Sequence, residues 1–365
     1  MSQLRIGVEE EFMLLDAKTL ELSNDTAAFL QEADADYPDN VKAEFHASVV
    51  EIVTDPCPDV QTAREQLGRH RKSVIELAKK HGLLVAAAGT HPTTHWKDVK
   101  ITEGVRYSRI LDNLQDLARA NLIYGMHCHV EIPEPDARIH VMNAARFFLP
   151  HLLALSTSSA FWQGKPTGHM STRNHVFKRF PRTGVPDYFA DHSEYARFVD
   201  LLVETNTIDN AKMIYWDIRP HPFYPTVEFR ICDTPTRVDE TVAIVAVLQA
   251  IVHKLLALYR NNLGYRLFRR ALIAENVYRA ARWGVEGQLI DFQGKREVSM
   301  KDAIRELLEF LEPDFCALGT LEYASAIERM LEEGTSARRQ LDCYAKTKDA
   351  ADVTRMLVED TTTGI

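Results

Sequence analysis

Five stretches of the chain carry side chains that could hold a metal ion or a phosphate. They supply Glu9 and Glu11, Glu44 and Glu51, His127 and His129, Asp217 and Arg219, and Glu228 and Arg230. On a strand, side chains two residues apart share a face. In four of the five stretches the two groups are two apart, so each pair would project together if the stretch is a strand. Carboxylates crowded on one face repel, and burying them uncompensated is costly, so they persist where a cation or arginines neutralise them. Oxygen ligands suit Mg²⁺, with phosphate completing its shell. Each pair also has an ordinary explanation: a wet acidic strand, a cross-strand ion pair, a hydrogen-bonded structural histidine. The repetition is harder to dismiss, because these groups interrupt otherwise apolar strands. It points to one site for a divalent cation and a polyphosphate.

Other chemistries fit less well. His127-Cys128-His129 could ligate zinc, but on a strand Cys128 faces away from both histidines, and the remaining candidates are carboxylates, which favour Mg²⁺ or Mn²⁺. Gly164-Lys165-Pro166-Thr167 resembles the end of a phosphate loop only superficially. Ser159 stands where that motif needs its first glycine, and Pro166 where it needs a hydroxyl.

The elements that must position these groups can be read from periodicity. Strands are expected over 5–15, 41–54, 83–88, 122–132, 213–219 and 226–232, and helices over 24–36, 59–80, 107–120, 136–155 and 193–204. Glu44 and Glu51 are seven apart, an odd offset, so an unbroken strand would put them on opposite faces; a common site requires a bend, a bulge or two strands. Asp59 can cap the helix that follows it. Residues 156–186, rich in Ser, Thr, Gly and Pro, read as an irregular lid or binding loop. From residue 238 onward the pattern is helical, with one irregular interruption at Gly284, Gly287 and Gly294. Without strict strand–helix alternation, the expected class is α+β: a mainly antiparallel sheet backed by helices, with a helical C-terminal third. One unit over 1–365 is expected, its sheet region at about 1–235 and its helical part at about 236–365.

The 365 residues are 45% hydrophobic, and 43 basic against 52 acidic side chains leave a net charge of −9. That balance argues against a nucleic-acid partner. Five scattered cysteines without a CxxC argue against a disulfide framework and fit reduced thiols in the cytoplasm. Cys57, Cys128 and Cys232 read as packing residues. No signal peptide is apparent, and the apolar run 241–259 is interrupted by Gln249, His253 and Lys254, so it reads as a buried helix without a membrane role. Helical faces near the C-terminus would allow a homodimer.

Taken in order, GVEEEF (7–12), EFHASVVEIVTDPC (44–57), AAGTHP (87–92), RY (106–107), YGMHCHV (124–130), LPHLLALSTSSAFWQG (149–164), TGHMSTR (167–173), YWDIRP (215–220) and VEFRICD (227–233) resemble the type 2 bacterial glutamate–cysteine ligases, also called the carboxylate–amine ligase family. The resemblance runs from about residue 5 to 290. It implies a glutamine-synthetase-like catalytic fold, a curved sheet cupping ATP and metal ions. It implies ATP-dependent joining of the glutamate γ-carboxylate to an amine such as cysteine, through an acyl phosphate. By the family pattern Glu9, Glu11, Glu51, His127 and Glu228 would be Mg²⁺ or Mn²⁺ ligands, with Glu44 close by and His129 at the substrate or ATP site. Arg230 would touch the transferring phosphoryl group, and Arg173 would bind glutamate or phosphate. Arg219 could bind phosphate or pair with Asp217. A guanidino-kinase-like phosphotransferase and a non-catalytic ATP-binding regulator are the rival readings.

Overall fold

Strand β1 (Ile6–Asp16) is the strand around which the others assemble. The computed structural model describes residues 4–365. The further strands of the main sheet are β2 (Val41–Ala43), β3 (Val49–Val53), β4 (Leu83–Ala86), β5 (Met126–Glu131), β6 (Ile218–Pro220) and β7 (Thr226–Phe229). They form one 7-stranded sheet in the order β6-β7-β5-β1-β3-β2, with β4 beside the C-terminal half of β1. Every pairing in it is antiparallel. The expected class is therefore the observed one.

The seven-residue offset between Glu44 and Glu51 is resolved by a chain reversal. The expected strand over 41–54 is two strands, β2 and β3, paired as a hairpin, and Glu44 lies in the connection. The break lets both carboxylates serve one side of the sheet.

The other face of the sheet is the core. Val8, Cys128 and Phe229 stand in register across three strands and are fully buried, as are Ile6, Phe12 and Leu14. Two long helices back this face: α1 (Val60–Lys80), capped by the Asp59 side chain accepting from the Thr62 N–H at 2.7 Å, and α3 (Val238–Arg260). Helix α3 is long and apolar enough to cross a membrane, but 78% of its most apolar window is buried inside the protein. Glu10, which points to this side of β1, is fully buried and meets Arg71 of α1 (Nε to Oε2, 2.9 Å); the Thr241 hydroxyl of α3 donates to it as well. The pair ties β1 to both backing helices.

Three expectations are corrected. Residues 136–155 form two helices, Pro135–Ala145 and Leu149–Ser156, because a 3₁₀ turn at Arg146–Phe148 intervenes just before Pro150. The helix expected over 107–120 is Val105–Leu114 and Asp116–Arg119, broken where Gln115 takes a positive φ of 49°. Residues 156–186 are largely held in place: they contain α2 (Thr172–Phe177), and Ser158, Ser159 and Ser171 anchor them to the buried Asp233. The interruption expected at Gly284, Gly287 and Gly294 in the helical C-terminal third is observed, and it holds an antiparallel ribbon of Gln288–Asp291 and Arg296–Ser299. The closing helices Ser336–Thr347 and Ala350–Thr361 cover the far end of β1, with Ala337, Val353 and Leu357 against Met13, Leu15 and Ala86.

Candidate active site

The register of the sheet lines up the polar side chains. Glu9 stands opposite His127, Glu11 opposite Glu51, and Glu51 opposite Lys42. Glu228 stands opposite His129 on one side and Arg219 on the other. Opposed residues share a face, so one side of the sheet carries Lys42, Glu51, Glu11, Glu9, His127, His129, Glu228 and Arg219. Gly7, opposite His129, leaves that position without a side chain. Arg230 follows directly after β7, and Arg173 reaches in from α2.

At one end the charges are paired. Arg219 grips Glu228 through Nε (2.7 Å) and Nη2 (3.2 Å), and Arg230 adds a close contact to the same carboxylate. Burial alone would raise the Glu228 carboxyl, but the two arginines outweigh it and hold it well below the usual range. Glu9 behaves in the same way: burial opposes ionisation, and a hydrogen bond from His127 (3.0 Å) together with the ion-pair contact of His129 (3.3 Å) overcomes it. Burial pushes His127 down to about 4, so it is neutral at pH 7 and, facing an ionised carboxylate, carries its proton on Nδ1. Its Nε2 lone pair is left for another partner. Burial also works against protonation of His129, but Glu9 more than offsets it and raises that histidine.

At the other end no carboxylate has an ion-pair partner among the described residues. Burial, then repulsion from Glu9, Glu44 and Glu11, lifts Glu51 well above the ordinary range. Burial and then Glu44 push Glu11 up to about 7, although it accepts the Gly125 N–H at 2.6 Å. Burial raises Glu44, against the pull of Arg106. Carboxylates that repel one another in a buried site are a place for a cation.

The donor set identifies where. Oxygens of Glu9 and Glu51 and a nitrogen of His127 lie within 4.8 Å of one another. Two carboxylates and a neutral imidazole are a donor set that fits a divalent cation. Cys128, on the opposite face, is outside this set. Of the five residues expected to be ligands, these three converge. Glu11 shares their face, and Glu228 lies on it too but is occupied by two arginines.

Arg173 donates to the carbonyls of Ile231 (3.3 Å) and Arg230 (3.2 Å), and its Nε has no partner among the described residues. It packs so tightly against Gly125 that a Cβ there would overlap its guanidinium group. Motif reading did not assign Arg106, Lys178 or Asp233 to the site. Each reaches it through tertiary packing, and no spacing in the sequence signals that.

The sequence profile of the glutamate-cysteine ligase family 2 matches residues 5–359. A protein of Sorangium cellulosum carrying the provisional name glutamate–cysteine ligase 2 is 48% identical over 365 residues, covering 100% of this chain and 97% of its own. A Solibacter usitatus protein with the same provisional name is 45% identical, covering 99% and 94%. Among solved structures, the glutamate–cysteine ligase of Francisella tularensis in complex with AMP superposes with a TM-score of 0.72 at 13% identity, covering 100% of this chain and 90% of that one. A bifunctional glutathione synthetase from Pasteurella multocida gives 0.72 at 12% identity, covering 99% and 52%. At such identities the likeness is one of fold.

Proposed function

The chain belongs to the glutamate-cysteine ligase family 2, and on that premise we propose that it joins the γ-carboxylate of glutamate to an amine through an acyl phosphate, with ATP converted to ADP and phosphate. As a member of that family it is an ATP-dependent carboxylate–amine ligase. The observation that carries the reading is the register placing Glu9, Glu11, Glu51, His127 and Glu228 on one sheet face beside Arg230 and Arg173.

A carboxylate is a poor electrophile. Attack of a γ-carboxylate oxygen on the ATP γ-phosphorus forms the acyl phosphate and expels ADP, and the amine then attacks the acyl carbon and expels phosphate. Glu9, Glu51 and His127 would hold a divalent cation, and Mg²⁺ or Mn²⁺ there would neutralise phosphate oxygens. Arg230 and Arg173 supply fixed positive charge without reorganising. The attacking amine must lose a proton; Glu44, whose Oε2 accepts the Phe45 N–H at 3.1 Å and whose basicity burial raises, would accept it in its ionised form. Burial of the site keeps water from the acyl phosphate.

Beside the Arg219 end, a cavity of about 580 Å³ is lined by Tyr195, His221, Phe223 and Tyr224. Phe223 and Tyr224 are exposed, and the His221 ring lies 5.3 Å from that of His129. These aromatic faces suit a nucleotide base. The amine is cysteine or another primary amine.

The acyl phosphate makes a direct prediction. With glutamate carrying ¹⁸O in its γ-carboxylate, one ¹⁸O passes into the released phosphate. Phosphate without the label would eliminate the intermediate.

A further inference from the structure

Asp217 lies on the polar face, two residues before Arg219, and its carbonyl accepts the Arg230 N–H at 2.8 Å. Its side chain is buried, and Oδ2 has no hydrogen-bond partner among the described residues. Lys178, Arg173 and Arg230 all act on this carboxylate electrostatically. Among the described residues, none of them approaches it to the 4.0 Å of an ion pair. Arg230 is turned to Glu228, and Arg173 has Asp233 at 4.0 Å. Arg173 and Arg230 each keep an Nε without a partner among the described residues. Lys178, partly buried just after α2, has no ion pair of its own among these residues.

The carboxylate is buried, three cations act on it without an ion pair, and one of its oxygens is left unbonded among the described residues. An unpaired buried acid is costly, and the cost is removed by a ligand that brings its own cation to the acid and its own anion to the bases. The α-carbon end of an amino acid has that pair of charges.

We propose that Asp217 receives the α-ammonium group of the amino-acid substrate and Lys178 its α-carboxylate. The proposal rests on the ligase reading, in which the same substrate presents its γ-carboxylate toward Arg230. Asp217 and Lys178 are then the residues that select an α-amino acid over a plain dicarboxylate.

The test compares binding of L-glutamate with that of glutarate, which lacks the ammonium group, by calorimetry with Mg²⁺ and a non-hydrolysable ATP analogue. The wild-type protein binds L-glutamate more tightly, and Asp217→Asn lowers that preference about 10- to 100-fold, the range for a hydrogen bond to a charged group. An unchanged preference in the variant overturns the proposal. So does a wild-type protein that does not distinguish the two acids, a result independent of whether the variant folds. Lys178→Met is tested against 4-aminobutyrate, which lacks the α-carboxylate, and must lose the preference for glutamate over it. Phosphate release is followed alongside with ATP itself. Absence of release with the binding preferences intact would refute the ligase reading and leave the Asp217 assignment standing.

Discussion

Glu51 concentrates the electrostatic problem of the site: it is buried, raised well above the usual range, and faces three other carboxylates. If a divalent cation relieves this, Mg²⁺ or Mn²⁺ at 100 times its dissociation constant raises unfolding stability by about 2.7 kcal/mol, and a chelator removes the gain. Glu51→Gln should abolish most of that metal-dependent shift in melting temperature; a full shift in the variant would remove Glu51 from the ligand set. His91 behaves differently. Its Nδ1 accepts the N–H groups of Thr93 (3.2 Å) and Thr94 (2.9 Å), and its Nε2 bonds the Leu20 carbonyl, which fixes it as neutral. Burial pushes its pKa from 6.5 down to about 4. As pH falls below 6.5 the unfolded chain takes up a proton that the folded protein refuses. The contribution is whole above 6.5 and drains away toward pH 4, by about 1.4 kcal/mol per pH unit. Denaturation across this range should show the slope, and His91→Asn should reduce it. An identical slope in the variant would show that His91 is not its source.

At the scale of elements, the sheet was legible because its period of two survives burial on one side. The spacing of Glu9 and Glu11, of His127 and His129, and of Glu228 and Arg230 was enough to place each pair on one face. Which strands lie side by side was not legible, since register depends on partners distant in sequence. The break after β2 shows this: nothing local in VKAEFHASVVEIVT marks a reversal. Glu10 could be seen to point away from Glu9 and Glu11, but its partner Arg71 lies 61 residues on. Replacing that arginine, as in Arg71→Met, leaves a buried charge unpaired and should cost about 3–5 kcal/mol in chemical denaturation. Adding Glu10→Leu should recover much of the loss, and a single-variant cost below about 1 kcal/mol would contradict the account. Gly125 tests the packing around α2. In Gly125→Ala the new Cβ must displace the Arg173 guanidinium, so turnover should fall at least about tenfold while stability changes by less than about 1 kcal/mol. Unchanged turnover would free Arg173 from the chemistry.

At the scale of the molecule, two layers of helix frame the sheet differently. Helices α1 and α3 bury its apolar face, while the closing C-terminal helices cover only the far end of the other, leaving the carboxylates and arginines of the β6–β7–β5–β1–β3 rows free for substrates. The C-terminal helices were foreseen as elements, but their place against Met13 and Leu15 was not, because an amphipathic pattern names no partner. The central claim is that this face forms an amide bond at the expense of ATP. The most direct test is phosphate release from Mg-ATP and L-glutamate across a panel of amines, cysteine included, beside Glu51→Gln. The account predicts release that depends on both glutamate and one of the amines and that disappears in the variant. ADP formed with the phosphoryl group retained on the acceptor, or no amine-dependent release for any member of the panel, would contradict it.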